Sequence, residues 1–209
     1  MINSVILYDD QDEELGYFYH ACVDSFEQCD NLESYDTHSI LKLDSDGVNS
    51  NSLSEVLSGI NENKFIYLNF THGSRDAIYL NHEELISPTK NYYILSNALV
   101  YTFSCLAGNE LADILIQNNA LTFWGYTEEA LVNPSYYDKF VTCAMYGIFS
   151  FLAGATIKEA YNNTIECMNI TIDEIYPKSV LAASFLEEDR DALIVKGDES
   201  LSISDFCLS

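Results

Sequence analysis

Two short segments, Phe65-Ile-Tyr-Leu-Asn-Phe70 and Ala98-Leu-Val-Tyr-Thr-Phe103, are apolar at nearly every position rather than at every second one. A strand with one wet face alternates. A strand apolar on both faces has to be covered on both, as in a parallel sheet held between helices. The flanking segments fit that arrangement. Residues 4–8 read as a first strand, followed by a helix to about residue 29 with Leu15, Phe18, Tyr19, Cys22, Val23 and Phe26 on its inner face. Residues 37–43 read as a second strand and 54–60 as a short helix. Residues 77–80 and 83–87 form a hairpin or turn that Pro88 ends. After the 98–103 strand come a helix over 109–117 that Asn109 could cap, and a fifth strand over 120–124 closed by Gly125. One helical region from 135 to about 167 and a last strand over 192–195 complete the chain. Strands alternating with helices predict a three-layer α/β/α sandwich with a mainly parallel central sheet, in one domain over residues 1–209.

The two apolar runs end in chemically active dipeptides, His72-Gly73 and Ser104-Cys105. In an open α/β sheet, ligands and chemistry gather at the carboxyl ends of the strands, so a base and a sulfur nucleophile emerging there form a candidate site. A thiol attacks an acyl carbon as thiolate, and an imidazole beside it can take or share the proton. The N–H groups of Gly73 and Cys105 would supply an oxyanion hole. His82, ten residues further on, is the other histidine that could serve as base, whereas His20 and His38 show no partner pattern. Trp124 reads equally as a wall of a substrate pocket or as core filling.

Composition removes several alternatives. With 33 acidic and 9 basic side chains the net charge is −24, a field that repels phosphate backbones and anionic lipid and suits a basic protein partner or substrate segment. The six cysteines show no CxxC spacing and sit inside apolar or helical patterns, which argues against a disulfide framework and for a reducing, cytoplasmic setting. The amino terminus lacks a basic leader, and no apolar run reaches the roughly 18 residues of a membrane span. There is no metal-ligand spacing and no phosphate-binding glycine loop, so no metal and no cofactor are expected.

An apolar strand ending in His-Gly, then one ending in Ser-Cys with Ala107-Gly108 just after, resembles the caspase-like cysteine peptidases of clan CD, and most of all their bacterial CHAT and gingipain-like branches. Leu80-Asn-His-Glu-Glu-Leu-Ile-Ser87 and Leu193-Ile-Val-Lys-Gly-Asp-Glu-Ser-Leu201 extend the likeness across residues 4–201. The resemblance implies a caspase-like fold and an endopeptidase with a His72–Cys105 dyad acting on a specific protein, with a regulatory or activating protein as partner, in a bacterial defence or cell-death system. Phe103 stands two before the nucleophile, where caspases carry Gln and metacaspases Asp. A basic P1 residue, frequent in the CHAT and gingipain branches, would need a carboxylate. The loop after the first strand nominates Asp9 and Asp10, and the turn after the fifth nominates Glu128 and Glu129. The competing expectation is a non-catalytic module of the same fold that docks a basic partner.

Overall fold

A computed structural model describes residues 2–29 and 38–207. Its centre is a six-stranded sheet in the order β2-β1-β3-β7-β8-β9, where β1 is Ile2–Tyr8, β2 His38–Leu43, β3 Phe65–Phe70, β7 Ala98–Phe103, β8 Thr122–Tyr126 and β9 Leu193–Gly197. The first five strands in that order pair in parallel, and β9 closes the edge antiparallel to β8. Every residue of β3 and β7 is buried, as two-sided coverage demands.

Alternate residues of the same strand enter different cores. Ile66, Leu68 and Phe70 pack on one face with α1 (Gly16–Glu27), α4 (Tyr137–Leu152), α5 (Ile157–Ile175) and α6 (Val180–Ala192). Phe65 and Tyr67 pack on the other with α2 (Ser50–Ser58), α3 (Glu110–Gln117) and a small antiparallel sheet of β4 (His72–Gly73), β5 (Ile78–Leu80) and β6 (Glu83–Ile86). The period-two geometry of the strand thus produces the three layers directly.

Several boundaries differ from expectation for identifiable reasons. The strand expected over 37–43 is seen from His38; Thr37 lies outside the described residues. The fifth strand is displaced to 122–126, the Ala120 N–H before it bonding the Leu115 carbonyl at the end of the preceding helix. Gly125 lies inside that strand, where a Cβ would come within 2.7 Å of the Thr102 methyl. The single helical region expected over 135–167 is two helices, followed by a third that was not anticipated. Gly154, at φ +103°, breaks the first pair. Thr156 restarts the chain with a capping box, its hydroxyl accepting from the Glu159 N–H while the Glu159 carboxylate accepts from the Thr156 N–H. Ser179 caps the third helix. Among the described residues, no helix is long and apolar enough to cross a membrane.

Candidate active site

The parallel register of β3 and β7 pairs Phe70 with Phe103 at their last residues. His72 and Cys105 follow two residues later on their respective chains, so both leave the same end of adjacent strands. Gly73 fixes how close they come: a Cβ there would lie 2.6 Å from the Cys105 carbonyl oxygen and 2.9 Å from Ser104 Cβ. Only a residue without a side chain permits the His72-Gly73 backbone to lie against Ser104-Cys105.

Beneath this junction is a buried polar cluster. Asn69, fully buried, donates through Nδ2 to the hydroxyls of Thr71 (3.1 Å), Thr102 (3.0 Å) and Ser104 (2.7 Å). The Ser104 hydroxyl donates in turn to the Thr71 carbonyl at 2.7 Å. The residues immediately before His72 and before Cys105 are thereby bonded to each other across the two strands. Asn69 sits within an N-x-T glycosylation triplet, but its burial in β3 gives it this structural role instead.

His72 is exposed and its Nε2 lies 2.7 Å from Asp12 Oδ2. An ionised carboxylate only accepts hydrogen bonds, so in the neutral ring Nε2 carries the proton and Nδ1 the lone pair. The other Asp12 oxygen accepts from the N–H groups of Leu15 (2.6 Å) and Glu14 (3.0 Å) ahead of α1. Partial burial opposes ionisation of Asp12, but the bonds from His72 and from those N–H groups outweigh it and hold its carboxyl below the ordinary value. Asp12 is the partner that sequence reasoning missed; it lay in plain view among Asp9, Asp10, Glu13 and Glu14, with nothing local to distinguish it.

Cys105 is partly buried, its Sγ 4.0 Å from the Ala130 carbonyl. Burial pushes the thiol up, and the nearby Glu129 carboxylate adds to the effect. The chain then turns sharply at Leu106, a non-glycine residue at φ +62°. The turn is strapped to the exit of β8: Leu106 N–H to the Glu128 carbonyl at 2.9 Å, Gly108 N–H to that of Tyr126 at 2.7 Å, and Asn109 Nδ2 to that of Thr127 at 2.7 Å. Asn109 occupies the cap position of α3, but its side chain makes no bond to the helix N–H groups; it braces the Cys105 turn instead.

Two open cavities flank the strand ends. One, of about 450 Å³, is lined by Asp9, Asp12, Glu13, Glu14, His72 and His82 among others. The second, of about 530 Å³, is lined by Leu106, Glu128, Glu129, Leu131, Glu188 and Asp191 among others. The buried Asp189 carboxylate holds the second cavity's loop, accepting from the Leu131 N–H at 2.7 Å.

Of the pocket residues expected from sequence, Asp9, Glu128 and Glu129 line these cavities, and Asp9 is 3% exposed with its carboxylate accepting from Ser45 Oγ at 2.8 Å. The other candidates sit elsewhere, and of the two readings of Trp124 the core-filling one is seen. Asp10 lines neither cavity; its carboxylate accepts from the Ser45 N–H and stiffens the neighbouring loop. Phe103, 4% exposed, is packed between Phe18 and Tyr126. Trp124, 1% exposed, fills the core against Tyr101 and Tyr161, with Gly147 of α4 making room for its ring.

The elevated Cys105 thiol has a direct consequence. Its alkylation by iodoacetamide should be slower at neutral pH than that of a free thiol and should still be rising above about pH 9, with Glu129→Gln moving the curve to lower pH. A rate already level at neutral pH contradicts this reading of the site.

No protein-family model matches the sequence, and no curated protein is matched by it. Among solved structures, a secreted C11 cysteine protease from Bacteroides thetaiotaomicron matches with a TM-score of 0.45 and 11% identity, over 72% of this chain and 59% of that one. The Arg-specific cysteine proteinase gingipain R matches with a TM-score of 0.62 and 16% identity. That alignment takes in 96% of this chain but 47% of gingipain R, so the chain spans about half the length of its structural neighbour. The three-layer sandwich with its mainly parallel six-stranded sheet is thus the caspase-like fold that gingipain R carries.

Proposed function

We propose that the protein is a cysteine endopeptidase in which Cys105 is the nucleophile and His72 the acid–base residue. The observation that carries the reading is the contact at Gly73, which lays the His-Gly dipeptide against Ser104-Cys105 at the carboxyl edge of the sheet. Because burial favours the neutral thiol, attack and proton loss are coupled. Cys105 Sγ bonds to the scissile carbonyl carbon while its proton passes to His72 Nδ1, and the N–H groups of Gly73 and Cys105 receive the oxyanion. The imidazolium then hands that proton to the departing amine as the C–N bond breaks. In the second half, His72 takes a proton from water, the hydroxide displaces Cys105 from the thioester, and the proton returns to sulfur. Asp12 keeps the ring in the required tautomer throughout and stabilises its charged form.

The substrate in this reading is a specific protein cleaved after a basic residue. Support comes from the cavity beside Cys105, where Glu128 and Glu129 from one side meet Glu188 and Asp191 from the other. The net charge of −24 draws basic segments toward the whole molecule. A panel of fluorogenic peptides tests this, with Arg or Lys at P1 preferred over Asp or Leu. Replacing both Glu128 and Glu129 by Gln should raise KM for the basic peptides roughly three- to tenfold, the size expected for losing two solvent-exposed charge contacts. Equal turnover of acidic and basic peptides would sink the specificity claim.

One observation favours a second reading. A thiol pushed up by burial and by Glu129 is a poor nucleophile at rest, which suits a non-catalytic module that docks a basic partner. A parent protein that cleaves no peptide yet binds a basic polypeptide equally well with Cys105→Ala would establish that alternative.

A further inference from the structure

The turn after Cys105 carries a side chain that packing of the fold does not require. Leu106 sits at φ +62°, a conformation that leucine adopts only under constraint. The constraint acts on its backbone. Its N–H bonds the Glu128 carbonyl at 2.9 Å, and its own carbonyl accepts from the Asn109 N–H at 3.0 Å and from Asn109 Nδ2 at 2.8 Å. A glycine would make the same bonds without the strain. What leucine adds is its side chain, and that side chain belongs to neither hydrophobic core. The next residue, Ala107, is fully buried in the core on the α3 side, whereas Leu106 is half-buried and lines the cavity of about 530 Å³ beside Cys105.

Leu131 repeats the pattern on the loop that follows β8. Ala130 before it is buried in the core and Val132 after it packs against the same core, but Leu131 joins neither core and lines the cavity. Its backbone is fixed as well, the N–H bonded to the buried Asp189 carboxylate at 2.7 Å. The Ala130 carbonyl, one residue back, is the group 4.0 Å from Cys105 Sγ. Backbone bonds thus set two apolar side chains next to the thiol, at a cavity whose remaining wall is largely acidic. Of the lining carboxylates, Asp191 is already paired with Arg190 at 2.8 Å, whereas Glu128, Glu129 and Glu188 have no cationic partner among the described residues.

A compact cation would meet those carboxylates and leave the leucines wet. An apolar side chain would cover the leucines and leave the carboxylates unpaired. A long unbranched stem that ends in a positive charge satisfies both. We infer that Leu106 and Leu131 determine specificity at this cavity by packing on the methylene stem of an arginine or lysine side chain, whose head meets Glu128, Glu129 and Glu188. In the peptidase reading, on which this rests, that side chain is the P1 residue of the substrate. Charge pairing alone would make affinity independent of stem length, whereas packing on the leucines makes it grow with each methylene.

The test is an NMR titration of the full chain, its leucine methyls labelled, with methyl-, ethyl-, propyl- and butylguanidinium, a series that lengthens the stem at constant charge. The Leu106 and Leu131 methyl signals should shift, and Kd should fall about two- to fourfold per methylene, the upper figure being that of a fully buried stem. Leu106→Gly should fold, since it removes backbone strain, and should flatten the dependence on stem length. Leu131→Ala should flatten it too, without touching the turn. Equal affinity along the series in the wild-type protein, no binding of any member, or shifts confined to leucines elsewhere would overturn the assignment. Peptide turnover scores the peptidase reading separately. Binding that tightens with stem length in a protein that cleaves nothing keeps the pocket and ends the peptidase, and turnover of Arg and Lys peptides with a flat series does the reverse.

Discussion

Cys105→Ala should leave a folded protein and reduce peptide turnover by about 10⁴-fold or more, the scale on which covalent catalysts fail when the nucleophile is removed. The fold is expected to survive because Cys105 is only partly buried and the hydrogen bond of its sulfur to the Ala130 carbonyl is long. What holds the turn is backbone and Asn109, in the bonds to residues 126–128, and none of these involves the side chain. His72→Ala should cost a similar factor, and the double variant little more than either alone, since the two groups act on one proton. Asp12→Asn is the informative companion. An amide can donate to Nε2 and favour the tautomer with the proton on Nδ1, so turnover should fall steeply while the site keeps its shape. Additive losses from Cys105→Ala and His72→Ala would mean that the two residues do not work as a unit.

The largest expected effect on stability lies one layer down. Asn69→Ala removes the amide that donates to Thr71, Thr102 and Ser104, and leaves each of these buried hydroxyls with one bond fewer. The lost buried hydrogen bonds and the cavity left by the amide should together cost about 2–4 kcal/mol. For a chain of this size that corresponds to a fall in melting temperature of roughly 5–15 °C by calorimetry. Activity measured well below the transition should drop as well, because the Asn69 amide positions the Ser104 hydroxyl that bonds the Thr71 carbonyl next to His72 and Cys105. A melting temperature unchanged within a degree or two would show that the cluster contributes nothing to the junction.

The parts of this architecture that were legible in the sequence are those encoded locally. β3 and β7 announce themselves because two-sided burial leaves an unbroken apolar run, and the dipeptides at their ends follow from where the runs stop. The α5 start was equally local, in Thr156-Ile-Lys-Glu159, but the apolar stretch before it concealed the break at Gly154. Other features depend on contacts between distant segments. Trp124 reads as pocket or core until Gly147, on a different element, supplies the space for its ring. Asp12 could not be separated from four neighbouring carboxylates, since only the position of His72, sixty residues on, selects it. Asn109 looked like a helix cap because caps are recognised by residue type, whereas its bond to Thr127 comes from the packing of the turn on β8.

The most direct test of the account is covalent labelling by a peptidyl acyloxymethyl ketone with arginine at P1, read by intact mass and peptide mapping. One adduct per chain is expected, on Cys105, abolished by Cys105→Ala and strongly slowed by His72→Ala. No adduct on Cys105, or an adduct that forms equally fast without His72, would contradict it.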